Sequence, residues 1–244
     1  MWGLYKKEIT TFFSGLIGYI TIGVFLLILG LMLWVFPDFN ILNYPVATLQ
    51  PLFTAAPFVF IFLLPALTMN SLAEERQNGT FEFLVTKPIS DTTIVMSKFF
   101  AVITLVFMAL IPTVLYYVTI YTLGIPQGNI DEGQLLGSYI GLFLLSAVFA
   151  AIGIFGSSLS SNQIVGFIVS LFLCALMYWG FTLLSRFPMF LGGTDWFIEK
   201  LGVEYHYFSI SRGLVDTRDL IYFFSAIALF IVLTLFSLAS RNWK

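Results

Sequence analysis

Residues able to do chemistry are scarce in this sequence, and the few present exclude more than they suggest. Its 244 residues contain one histidine, His206, and one cysteine, Cys174. A His/Cys metal site therefore lacks ligands, and an intramolecular disulfide is impossible. G-x-x-x-x-G-K-[ST] is absent, so no P-loop cradles nucleotide phosphates. No apolar run pairs a nucleophile with an activating base, as an intramembrane hydrolase requires. We expect neither catalysis nor a bound cofactor or metal on this chain. Its charges gather at Lys6-Lys7-Glu8, between Leu67 and Lys98, and between Arg186 and Asp219.

The middle group is the one the rest of the chain is organised around. LTMNSLAEERQNGTFEFLVTKPISDTTIVMSK carries Glu74, Glu75, Arg76, Glu82, Lys87 and Asp91 before its closing Lys98. Its pattern predicts two short helical pieces around a turn. Gly79-Thr80 opens the first, Thr80 capping the free N–H groups that follow. Thr86-Lys87-Pro88 ends it, because the residue before proline is biased out of the helical region. Ser90 or Asp91 caps the second, which reaches Lys98. Phe81, Leu84 and Val85 share one apolar face, while Glu82 points elsewhere. With Phe83, Ile94 and Val95 also apolar, this stretch needs a surface to lie against: the bilayer or a partner's groove.

The elements that position these charges are membrane spans. The chain is 59% hydrophobic and 10% charged, against about 25% charged in soluble domains. Its mean hydropathy of +0.96 predicts a single-domain, all-α polytopic membrane protein spanning residues 1–244. A core of about 30 Å takes about 20 helical residues, and the apolar runs give six spans, at about 17–36, 51–72, 99–123, 135–156, 164–185 and 220–240. The charge-free run 133–185 divides into two at Ser157-Ser158-Leu159-Ser160-Ser161-Asn162-Gln163. Pro57, Pro65 and Pro112 predict kinks or local unwinding inside spans 2 and 3. These spans contain no Asp, Glu, Lys, Arg or His, which argues against a proton-coupled carrier. Net charge is −2, without the basic patch of a nucleic-acid binder.

Ahead of the first span, Trp2, Tyr5, Ile9, Phe12, Phe13 and Leu16 recur at helical spacing, with Lys6, Lys7 and Glu8 on the other side. This predicts an amphipathic helix lying on the membrane lipid surface. In span 4, Gly137-x-x-x-Gly141, Ser146-x-x-x-Ala150 and Gly153-x-x-x-Ser157 permit close helix approach, read as packing within the chain. The last loop carries His206, Arg212, Asp216, Arg218 and Asp219, the latter four expected to pair at the surface. His206 reads as a locally hydrogen-bonded aromatic-belt residue, and Phe187, Phe190, Trp196, Phe197, Tyr205, Tyr207 and Phe208 as interfacial. Lys6, Lys7, Arg76, Lys87, Lys98, Arg241 and Lys244 outnumber Arg186, Lys200, Arg212 and Arg218 across the bilayer, which predicts N-in/C-in topology.

The run L-T-x-x-S-L-A-x-E-R-x-x-G-T-x-E-x-L-x-x-x-P-I-S, Leu67 to Ser90, followed by Lys98, resembles the ABC-2 type transporter permeases. Within them it is most similar to the gliding-motility (Gld) ABC transporter permease subunit, and chain length and span layout also fit. The resemblance implies a bacterial inner-membrane permease forming a translocation pathway. Glu74, Glu75, Arg76, Gly79 to Leu84, Thr86 to Pro88 and Lys98 would form a cytoplasmic coupling helix and loop between spans 2 and 3. That loop would contact a separate cytoplasmic ABC ATPase subunit, which binds ATP and Mg. It further implies a second permease copy or a related permease, and a last loop, His206 and Arg212 to Asp219, forming an external cap. Two alternatives are an ATP-independent membrane scaffold and a sodium-coupled carrier using backbone carbonyls near Pro57 or Pro65.

Overall fold

The structure, a computed structural model, describes residues 1–43, 46–77, 79, 89–189 and 193–239. Every regular element among the described residues is helical. Helix α1 (Trp2–Ser14) precedes α2 (Ile17–Trp34), which is span 1. Span 2 is α3 (Gln50–Thr68), continued after a turn at Met69 by α4 (Asn70–Gln77). Span 3 is α5 (Asp91–Leu110), a 3₁₀ turn at Ile111–Thr113, and α6 (Val114–Leu123). Span 4 is α7 (Glu132–Leu159). Span 5 is α8 (Gln163–Ala175), a π turn at Leu176–Gly180, and α9 (Phe181–Ser185). Short helices α10 (Asp195–Glu199) and α11 (Val203–Ser211) lead to span 6, α12 (Thr217–Ala239). Six helices are long and apolar enough to cross a membrane, so this is a multi-pass membrane protein.

Span 4 is the central post. Of its most apolar stretch 83% is buried, against 28%, 22% and 22% for spans 1, 5 and 6. Small side chains allow this. A Cβ on Gly153 would lie 2.0 Å from Thr68 Oγ1 of span 2, and one on Gly137 2.6 Å from the Ile210 carbonyl of α11. Gly141 faces Tyr207 and Ile210, Ser146 bonds the Phe143 carbonyl, and Ala150 is fully buried. Gly156, absent from the spacing argument, sits as tightly against Ser170 of span 5. Aromatic pairs fill the wider gaps, including Phe25 stacked on Phe60 at 4.9 Å and Phe149 edge-on to Tyr178.

Span 3 begins earlier than the hydropathy boundary at Phe99. Ser90 accepts from the Thr93 N–H, and the helix it caps runs unbroken past Lys98 into the span. Of the two outcomes expected at Pro57 and Pro65, kinks or local unwinding, the second does not occur: helix α3 runs through both. Pro57 has no N–H for the Phe53 carbonyl, and the Tyr207 hydroxyl donates to that carbonyl at 2.6 Å instead. Pro112 does interrupt its helix, within the 3₁₀ turn. There Thr113 donates to the Leu110 carbonyl and shares a 3.0 Å hydrogen bond with Tyr139.

Candidate functional site

The two ends of the bundle carry different polar networks. At the end bearing α1, the junction between α3 and α4 is stitched to span 4 by one hydroxyl. Ser157 Oγ accepts from the N–H groups of Leu72 and Ala73 at 3.0 and 3.1 Å, and donates to the Met69 carbonyl at 2.7 Å. A helix start leaves such donors without partners, so a restarted helix here needs this side chain. One residue on, the Ser158 carbonyl accepts from Arg76 of α4 and from Ser237 of α12. Gly79, at φ +68°, sends its N–H back to the Arg76 carbonyl, a backbone state that favours glycine. Glu74 is exposed.

Beside this junction sits a buried cation. The Lys98 side chain is 5% exposed, with Nζ 2.9 Å from Glu75 Oε1 and 3.1 Å from Glu8 Oε1. Lys7, 55% exposed, lies 3.7 Å from the same Glu75 oxygen. A lysine is removed from water only when paired, and here two carboxylates from two other helices, α1 and α4, meet it. Glu8 corrects the sequence reading, in which helical spacing set it on the outward polar face. Instead α1 rests on span 3 through Glu8 and through a 2.8 Å hydrogen bond between Tyr5 and Thr104. None of the residues of α1 is fully buried. Of the coupling set, Glu75 and Lys98 thus meet in one cluster, and Arg76 is tied to the Ser158 carbonyl. Thr80, Phe81, Glu82, Phe83, Leu84, Thr86, Lys87 and Pro88 lie outside the described residues.

A model of the ABC-2 family transporter proteins matches residues 39–236. The chain belongs to the ABC-2 transporter family. Members of this family normally work with a cytoplasmic ATPase partner, and the match covers the family's membrane domain. Comparison with curated proteins gives no match.

The opposite end of this ABC-2 membrane domain is closed by α10 and α11. His206 Nδ1 lies 2.6 Å from Asp219 Oδ1 and Nε2 lies 2.8 Å from the Lys200 carbonyl. Its ring stacks on Tyr222 at 3.9 Å, and the Tyr222 hydroxyl donates to the Leu201 carbonyl. Both ring nitrogens therefore face oxygens, one a carboxylate and one a backbone carbonyl. His206, expected to be locally hydrogen-bonded among aromatics, ties α11 to span 6. One expectation is replaced: Asp219 pairs with His206, rather than within the Arg212–Asp219 group, where Asp216 accepts from the Arg218 N–H. Arg212 and Arg218 are exposed. Tyr207, expected at the surface, is fully buried. Burial, then the neighbouring Tyr178, push its phenol well above the usual tyrosine range, so it remains a donor. Phe187, Trp196 and Phe197 are exposed, and Phe190 lies outside the described residues. Among the described residues no cluster of His, Cys, Asp and Glu is placed to hold a metal.

Proposed function

We propose that this chain is the permease subunit of an ATP-driven ABC-2 type transporter, with a separate ATPase docking on the segment that joins spans 2 and 3. The observation that carries this reading is how that segment is held on both sides. Before it, α4 is capped by Ser157 and tied to Ser158, more than 80 residues away in sequence. After it, the helix of span 3 is anchored through Lys98 to α1 and α4. A simple connector needs neither a buried cation nor a borrowed cap. A push on residues 78–88 would pass directly into α1 and spans 2, 3, 4 and 6. ATP and Mg belong to the partner, because this sequence has no P-loop.

The proposed setting is a bacterial inner membrane with both termini cytoplasmic, α1 lying on the inner lipid surface and His206 to Asp219 outside. Two permeases, identical or related, would enclose the pathway. The motif similarity favours the gliding-motility transporters as the subtype. The test is a pull-down of the ATPase at matched membrane levels. Phe81→Ala or Phe83→Ala should reduce recovery about thirtyfold, as expected for losing an aromatic anchor. The effect of Glu82→Lys should shrink at high salt. Unchanged recovery with both phenylalanine variants makes the loop a connector and favours the scaffold alternative. A cysteine replacing Glu82 that labels from outside intact cells overturns the topology.

A further inference from the structure

A cavity of about 820 Å³ opens at the end of the bundle closed by α10 and α11. Its walls are the first turns of α3 and α7, the end of α9, and the α10–α11 segment. Its size falls within the range of about 300–1,000 Å³ usual for small-molecule sites, and exceeds what a simple ion needs. Because three span ends form it, it lies at the depth where lipid headgroups meet water. Phe53 and Phe208 add apolar and aromatic surface to its lining.

The charges in the lining are unevenly committed. Glu204 already accepts from the Thr182 hydroxyl at 2.6 Å, and Asp131 from the Gln134 N–H at 3.0 Å. Arg186 and Arg212 also line the cavity, yet among the described residues neither has a carboxylate within 4.0 Å. A guanidinium presents a planar fork of donors suited to phosphate oxygens. Glu199 lines the same space, and no cation pairs with it among the described residues. Its neighbour Lys200 is instead seated over the Trp196 ring at 3.7 Å. The space thus offers two cations to a phosphate and, in Glu199, a carboxylate to an ammonium, with Asp131 and Glu204 adding negative charge in the same lining, beside aromatic surface at membrane depth.

We infer that this cavity binds the headgroup of an amine-bearing zwitterionic phospholipid, its phosphate on Arg186 and Arg212 and its ammonium on Glu199. This goes beyond the permease reading and does not depend on it, since it needs only that the span ends meet the bilayer surface. The experiment uses the full chain in detergent micelles. Short-chain phosphatidylethanolamine, phosphatidylglycerol and inorganic phosphate are titrated separately, with bound probe counted by native mass spectrometry. Wild type should retain phosphatidylethanolamine in preference to phosphatidylglycerol, and should retain no inorganic phosphate at matched concentration. Arg186→Ala with Arg212→Ala should weaken phosphatidylethanolamine binding at least about tenfold, the loss expected for charge-assisted hydrogen bonds. Arg218→Ala, on an exposed arginine outside the cavity, should leave it unchanged. Glu199→Gln should abolish the preference between the two lipids while keeping phosphate-dependent binding. A melting curve matching wild type establishes that each variant is folded; Arg186→Gln with Arg212→Gln, which removes both charges but keeps side-chain bulk, replaces the alanine pair with the same expected loss if that pair fails to fold. Binding insensitive to the arginines, equal retention of both lipids by wild type, or equal retention of inorganic phosphate would each overturn the assignment.

Discussion

Replacing Lys98 by methionine keeps most of the side-chain volume and removes only the charge. In the folded chain this leaves Glu8 and Glu75, each 14% exposed, facing one another across the site the ammonium occupied. Removing one partner of a buried pair costs about 3–5 kcal/mol, because the remaining charge stays desolvated. At roughly 2–4 °C per kcal/mol for a chain of this size, that corresponds to a melting temperature lower by roughly 6–20 °C. Lys7 provides the internal comparison. It approaches the same Glu75 oxygen but is 55% exposed, so Lys7→Met should cost only about 0–1 kcal/mol. Removing all three charges together, Glu8→Gln, Glu75→Gln and Lys98→Met, should restore much of the loss, since no unpaired ion remains. The assay is tryptophan-fluorescence melting of the purified chain in detergent at fixed ionic strength. A Lys98→Met melting temperature within a degree or two of wild type would refute the claim that this cation pins α1 and α4 to span 3. A Lys7→Met loss as large as that of Lys98→Met would refute it equally.

Three further outcomes are expected. Gly153→Val should sharply lower the folded yield, because its Cβ would fall 2.0 Å from Thr68 Oγ1; pairing Gly153→Ala with Thr68→Ala should recover folding that Gly153→Ala alone reduces, as size-exclusion profiles will report. His206→Phe keeps a ring on Tyr222 but leaves Asp219 buried without its 2.6 Å hydrogen-bond partner, and should cost about 1–3 kcal/mol of thermal stability; adding Asp219→Asn should return part of it. Tyr207→Phe strips the Phe53 carbonyl of its donor, for about 1–3 kcal/mol. The phenol is held above its unfolded value of about 10, so this contribution is complete below that pH and fades as pH rises through the folded value. Melts at pH 8 and pH 11 should therefore show a smaller alkaline loss for Tyr207→Phe than for wild type.

Six spans follow from the sequence by itself, because a backbone in lipid must close its own hydrogen bonds and only apolar helices of about 20 residues do so. The family was legible for a similar reason: the Leu67–Ser90 motif is a contiguous run, as are the Ser90 cap and the small residues of span 4. The partners of those residues were not legible. Lys98 meets Glu8 across 90 positions and Tyr207 meets the Phe53 carbonyl across 154, distances over which periodicity and propensity carry no information. Glu8 shows the reason most plainly. Helical spacing sets it on the polar face of α1, and a polar face ordinarily turns to water. Only the packing of α1 on span 3 reveals that this face meets a buried lysine. The edge-on packing of Tyr178, within the π turn at Leu176–Gly180, on Phe149 of span 4 is likewise visible only in the tertiary structure. Local chemistry thus determined which segments cross the membrane, while the polar networks that lock them required charges distant in sequence to share one desolvated site, and only the fold brings them together.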